Sequence, residues 1–151
     1  MDELDRSIIR ALSNDARRPL SSIAEELDVA ATTLHQRVRR LEEKGVIKGA
    51  RLVVDWEAIG YPVVGIVSIE VGGRGLATTA QEVRALPQIE SCYAVTGDWD
   101  LMAVARARSA DHLGEVLESL RATLPVRSRT VVVLQTFFDG RLPPLDAEPA
   151  L

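Results

Sequence analysis

From Val63 to Phe138, apolar runs with a two-residue period alternate with amphipathic helical runs in the order β-α-β-β-α-β, and no other feature restricts the fold so much. The expected strands are Val63–Val71, Ile89–Val95, Leu101–Ala107 and Arg129–Phe138; the expected helices are Ala77–Leu86 and Ala110–Leu124. Ser109 stands where an N-cap belongs, and Leu113, Val116, Leu117 and Leu120 form one stripe of the second helix. This order folds as a split, ferredoxin-like unit with both helices on one face of an antiparallel sheet. The other face should then be polar in a monomer. Instead Val64 and Ile66 oppose Val63, Val67, Ile69 and Val71 in the first strand, and Val132, Leu134 and Phe138 oppose Val131, Val133 and Phe137 in the last. A sheet apolar on both faces, with helices for only one, implies an obligate homodimer through residues 63–138.

The first 50 residues follow a helical period instead. Asp2 can cap a helix that buries Leu4, Ile8, Ile9 and Leu12, with Glu3 and Asp5 in its first turn and Asn14-Asp15 closing it. A second helix follows Pro19, suited to a first helical position, and buries Ile23, Ala24 and Leu27. Only Asp28 to Ala31 separate it from a third helix, the short connection of a helix-turn-helix. In the third helix Leu34, Val38 and Leu41 form the apolar stripe, and Gly45 ends it as a left-handed cap. The opposite face collects Thr32, Gln36 and Arg39, flanked by Thr33, His35 and Arg40, which supplies the hydrogen-bonding groups and positive charge a major groove requires. On its own that face also reads as a solvated basic surface; the two preceding helices favour a winged-helix-like DNA-binding head. Thr32, Gln36, Arg39 and His35 are the expected base contacts, and Arg37, Arg40 and Lys48 the expected phosphate contacts. Arg37 lies toward the apolar stripe by angle, so a bracing role stays open for it.

The net charge of −4 is misleading until it is divided. Residues 31–51 carry 6 basic and 2 acidic side chains, so positive charge is concentrated on the third helix and its exit. No run of 18 apolar residues suggests a membrane span, and a charged N-terminus argues against a signal peptide. A single cysteine, Cys92, excludes an intrachain disulfide and fits a reducing cytoplasm as an inert core thiol. The preference for Arg over Lys, 16 to 2, is associated with GC-rich bacterial genomes. Residues 51–62 read as a short strand (Ala50–Val54) and a hinge of about one turn, and residues 139–151, with three of the seven prolines, as a flexible tail.

The helix-turn-helix followed by Arg-Leu-Glu-Glu-Lys-Gly-Val-Ile-Lys-Gly (40–49) resembles the DNA-binding head of the Lrp/AsnC family of feast/famine regulators. The βαββαβ unit carrying Thr96-Gly97-Asp98-Trp99-Asp100-Leu101 resembles that family's effector-binding RAM domain, and the likeness runs over residues 2–138. It implies dimers through the second domain, assembly into octamers, double-stranded operator DNA as partner, and an amino-acid effector at protomer contacts near Thr96, Gly97, Asp98, Trp99 and Asp100. The chemistry agrees: Asp98 and Asp100 can accept from an ammonium, and backbone N–H groups around Gly97 can meet a carboxylate. The same turn, without the likeness, also reads as a plain Gly-Asp hairpin turn with solvated aspartates, and Trp99 as a pocket wall or a packing residue. The chain departs from the family at Asp28-Val29-Ala30-Ala31, where relatives have a Gly-Leu-Ser-Pro-like turn; Ala30 cannot cap, and the Thr32 hydroxyl either compensates or serves a phosphate.

Other chemistries find little support. Gly72-Gly73-Arg74-Gly75 lacks the ending of a P-loop and the third glycine of a dinucleotide fingerprint. His35 and His112 are the only histidines and have no partners at metal-ligand spacing, and no nucleophile–base grouping is present. A ferredoxin-like enzyme with a helical appendage is thereby disfavoured. The expected protein is an α+β, one-component transcription regulator of amino-acid or nitrogen metabolism, cytoplasmic and nucleoid-associated, without cofactor or membrane. Its paired third helices would read half-sites about 10 bp apart or a multiple of that. The alternative is an architectural, nucleoid-type DNA protein that has no effector.

Overall fold

A computed structural model describes residues 1–124 and 127–145. The chain divides into two compact units, Met1–Val53 together with the segment from Phe138, and Val54–Phe137.

The first unit contains α1 (Glu3–Asn14), α2 (Leu20–Glu26) and α3 (Ala31–Glu43). Asp2 opens α1 with a reciprocal cap: the Asp5 N–H donates to its Oδ1 at 2.9 Å, and its own N–H donates to Asp5 Oδ2 at 3.1 Å. Pro19 is the N-cap of α2, one place earlier than expected. Both α2 and α3 end in the same left-handed motif. Val29 N–H reaches Ala24 O at 3.0 Å across Asp28 (φ 52°), and Val46 N–H reaches Leu41 O at 2.9 Å across Gly45 (φ 68°). Asp28 thus holds a backbone conformation that glycine adopts at lower cost. Ile8, Ile23 and Leu34 are completely buried where the three helices meet, joined by Ala11, Ala24, Val38 and Leu41.

The expected strand over Ala50–Val54 does not form among the described residues. Leu52 and Val53 are 79% and 103% exposed, because a strand needs a neighbour for its N–H and C=O groups and the described residues offer none there.

In the second unit, β1 (Val63–Glu70), β2 (Ile89–Ala94), β3 (Leu101–Ala107) and β4 (Arg127–Val132) make one antiparallel sheet in the order β2-β3-β1-β4. That is the ferredoxin-like order. The helices α4 (Leu76–Arg84) and α5 (Ala110–Thr123) cover the face carrying Val67, Ile69, Leu101, Ala103, Ala105 and Ala107, all buried. Gly65 belongs to this face, where an added Cβ would come within 3.1 Å of the Leu113 side chain. The opposite face is built by register: Ile66 lies between Val104 and Val131, and Met102 between Ser68 and Tyr93. Tyr93 and Val131 are 57% and 46% exposed, so this part of the apolar face has no cover among the described residues.

The last strand differs from expectation, spanning Arg127–Val132 rather than Arg129–Phe138. Its partner runs out: Val133 N–H still donates to Val64 O at 2.9 Å, but β1 begins at Val63, after Pro62. Leu134, Phe137 and Phe138 are consequently 97%, 84% and 78% exposed, outside any ladder. Of the expected tail, residues 146–151 lie outside the described residues.

Candidate functional site

Burial of Leu34, Val38 and Leu41 fixes the rotation of α3. It leaves Thr32, Thr33, His35, Gln36, Arg39 and Arg40 exposed, with exposed Lys48 just beyond the helix end. Arg39 Nε donates to Glu43 Oε1 at 2.9 Å. The two side chains are 81% and 62% exposed, and a solvated i,i+4 pair of this kind is weak enough to yield to a phosphate or a base edge. Among the described residues His35, Arg40 and Lys48 have no ion pair. The N-terminus of α3 has no side-chain cap at Ala30, and the Thr32 hydroxyl does not replace one.

Arg37, an expected phosphate contact for which a bracing role stayed open, turns its guanidinium back to α1, pairing with Asp2 and, at 3.1 Å, with Asp5, whose side chain is 3% exposed. The Asp5 backbone N–H and the Arg37 guanidinium hold the Asp2 carboxyl below the usual carboxylate range. The hydrogen bonds to Asp2 and Asp5 raise the pKa of Arg37 in turn. Arg37 therefore braces α3 against α1, because its position beside the apolar stripe points it inward.

The Thr96–Asp100 turn closes the β2–β3 hairpin, with Val95 N–H donating to Asp100 O at 3.0 Å. Gly97 has φ 113°, which excludes most side chains although a Cβ there would meet nothing within 4 Å. The turn folds against the end of β1: Asp100 N–H donates to Ile69 O at 3.0 Å, and Asp100 Oδ2 accepts the Val71 N–H at 2.6 Å. Asp100 is thus an anchor for the turn. Asp98 is exposed and makes no hydrogen bond or ion pair among the described residues. Trp99, half-buried, lies with its ring 5.3 Å from the Arg127 guanidinium, which also donates to Glu70 Oε2 at 3.1 Å. Arg127 was invisible as a site residue in the sequence, since only the β1–β4 register brings it to the turn.

Away from the turn, a cavity of about 490 Å³ lies between α4 and β2 and touches Cys92. Burial pushes the Cys92 thiol above its usual pKa, which keeps it protonated and a poor nucleophile. Among the described residues no group of three or more His, Cys, Asp or Glu is placed to hold a metal, and no helix is long and apolar enough to cross a membrane.

Two family profiles match: a winged helix-turn-helix DNA-binding domain over residues 1–48 and the Lrp/AsnC ligand binding domain over residues 64–143. The HTH-type transcriptional regulator FL11 of Pyrococcus horikoshii is 32% identical, over 90% of this chain and 91% of its own. The HTH-type transcriptional regulator LrpA of Mycobacterium tuberculosis is 32% identical, over 93% and 95%. A solved feast or famine regulatory protein from M. tuberculosis, complexed with L-methionine, superposes with a TM-score of 0.89 at 31% identity, over 94% of this chain and 97% of its own.

Proposed function

The chain belongs to the Lrp/AsnC family of DNA-binding transcriptional regulators, and from that premise we propose that a free amino acid held at the Thr96–Asp100 turn sets its affinity for an operator in amino-acid or nitrogen metabolism. The observation that carries this reading is Asp98, a carboxylate with no hydrogen bond or ion pair among the described residues, on a turn that Asp100 anchors. Such a group is pre-positioned to accept from an ammonium, and Gly97 leaves neighbouring N–H groups open to a carboxylate. The L-methionine complex of the M. tuberculosis relative supports the ligand class.

On the DNA side, Thr32, Gln36, Arg39 and His35 contact bases, while Thr33, Arg40 and Lys48 contact the backbone. Two heads are supplied by a homodimer in which a second copy covers the apolar sheet face around Ile66, Val104 and Val131; dimers assemble further into octamers. Effector binding at protomer contacts favours one assembly over another, and by linkage alters operator affinity.

A thermal-shift screen of the full chain against the twenty amino acids tests the ligand class. A concentration-dependent rise in Tm with one or a few of them is expected, following the free ligand concentration relative to Kd. The occupied carboxylate of Asp100 favours a second reading, in which the turn is only a hairpin and the protein an effector-independent architectural DNA binder. A flat screen, with DNA binding intact, would establish that reading instead.

A further inference from the structure

Residues 55–61, the expected hinge, are a capped turn built onto the sheet. Asp55 Oδ1 accepts the Ala58 N–H at 3.0 Å, and the Tyr61 N–H returns to Trp56 O at 2.8 Å past Gly60 at φ 90°. Beneath this turn lies a cavity of about 340 Å³ lined by Trp56, Tyr61, Pro87, Gln88, Glu90 and Arg106. It sits at the end of β3 opposite the Thr96–Asp100 turn, since Arg106 is near the strand's last residue and Leu101 is its first.

Two features make this cavity selective. The β2–β3 ladder skips Glu90 between Ile89 and Ser91, a bulge of the kind that redirects a side chain, and the Glu90 carboxylate meets Arg106 Nε at 2.9 Å. The Arg106 guanidinium also lies 5.4 Å from the centre of the Trp56 ring, so its position is fixed from two sides. With Nε engaged, the outer nitrogens of the guanidinium remain as paired donors, the geometry that receives a carboxylate. Glu90 offers its second oxygen to a cation. A lone anion in this cavity would meet the Glu90 charge, and a lone cation that of Arg106. A ligand bearing both charged groups on one carbon satisfies both, while Trp56, Tyr61 and Pro87 receive an apolar side chain.

We propose that this cavity is a second small-molecule site, separate from the Thr96–Asp100 turn, that binds a free α-amino acid with an apolar or aromatic side chain. The α-carboxylate lies on Arg106, the ammonium on Glu90, and the side chain against Trp56 and Tyr61. The cavity's roof is the segment that follows the DNA-binding unit in sequence.

The two tryptophans of the chain allow the sites to be followed separately. In full-length Trp99→Phe protein, Trp56 is the sole tryptophan reporter for this cavity; in Trp56→Phe protein, Trp99 reports on the turn. Titration of Trp99→Phe with L-phenylalanine is expected to change Trp56 emission saturably. L-Phenylalanine amide and N-acetyl-L-phenylalanine, which each lack one charge, are expected to bind at least about tenfold more weakly, as are Arg106→Gln and Glu90→Gln proteins toward L-phenylalanine itself. Far-ultraviolet circular dichroism verifies folding, and Glu90→Gln, a change at a solvent-accessible bulge, serves if Arg106→Gln unfolds. No saturable response to any of the twenty amino acids overturns the proposal, and so does equal binding of the singly charged analogues or of the Glu90→Gln protein. Failure of the Trp99 signal alone counts against the turn as effector site and leaves this cavity standing.

Discussion

The two aspartates of the Thr96–Asp100 turn should respond to substitution in opposite ways. Asp100 Oδ2 accepts the Val71 N–H at 2.6 Å in a half-buried setting, so Asp100→Ala leaves a backbone donor without its partner where β1 ends. An unsatisfied donor of this kind costs about 1–3 kcal/mol. For a unit of this size each kcal/mol corresponds to roughly 4–8 °C. The Tm of the second unit should therefore fall by roughly 5–20 °C, and Asp100→Asn, which retains an acceptor but loses the charge, should fall less. Asp98 is exposed and makes no hydrogen bond or ion pair among the described residues, so Asp98→Ala should stay within about 0.5 kcal/mol of the parent protein while losing the amino-acid response. Differential scanning calorimetry with and without the amino acids that shift the parent protein separates the two effects. Equal Tm values for Asp98→Ala and Asp100→Ala would refute the assignment of Asp100 as anchor. A normal ligand-induced shift in Asp98→Ala would refute Asp98 as the ammonium acceptor.

Arg39→Ala should weaken operator binding and leave assembly unchanged, read by fluorescence anisotropy beside analytical ultracentrifugation, whereas Arg37→Ala should lower the head's melting temperature because Asp5 loses its counter-charge. The Asp2 carboxyl has a folded pKa below its unfolded value, so its contribution is complete above about pH 4 and is lost as pH falls through the folded value. The stability gap between the parent protein and Asp2→Asn, measured by urea denaturation, should accordingly shrink below about pH 4. Asp28→Gly relieves the left-handed backbone at φ 52° and should stabilise the head by a few tenths to about 1 kcal/mol, since Gly also adds freedom to the unfolded chain. A loss of stability there would show that the Asp28 side chain has a role its backbone does not reveal.

The head was legible because its signals are local. The spacing of Leu34, Val38 and Leu41 sets the rotation of α3, and the left-handed Gly45 closes it with bonds to its own last turn. Strand propensity, by contrast, carries no information about partners. Ala50–Val54 and Leu134–Phe138 have strand-like sequences, yet neither has a neighbouring strand among the described residues. The same limit hid Arg127, which reaches Trp99 only through the pairing of Glu70 with Arg127, and Glu90, which reaches Arg106 through a bulge. Arg37 was half legible: helical angle placed it beside the buried stripe, but its carboxylate partners lie a helix away at Asp2 and Asp5. The two-faced apolar character of the sheet was visible in β1, where Val64 and Ile66 alternate with Val67 and Ile69, and it persists as an uncovered face.

Regulation by this protein requires that occupancy of the turn change what α3 does on DNA. Its most direct test is the affinity of the full-length protein for a duplex selected from a random library, measured at fixed salt with and without each amino acid that shifts its Tm. A change of about fivefold or more is expected for the parent protein, within the usual range of allosteric coupling, and none for Asp98→Ala. Identical affinities with and without ligand, or an undiminished change in Asp98→Ala, would contradict that expectation.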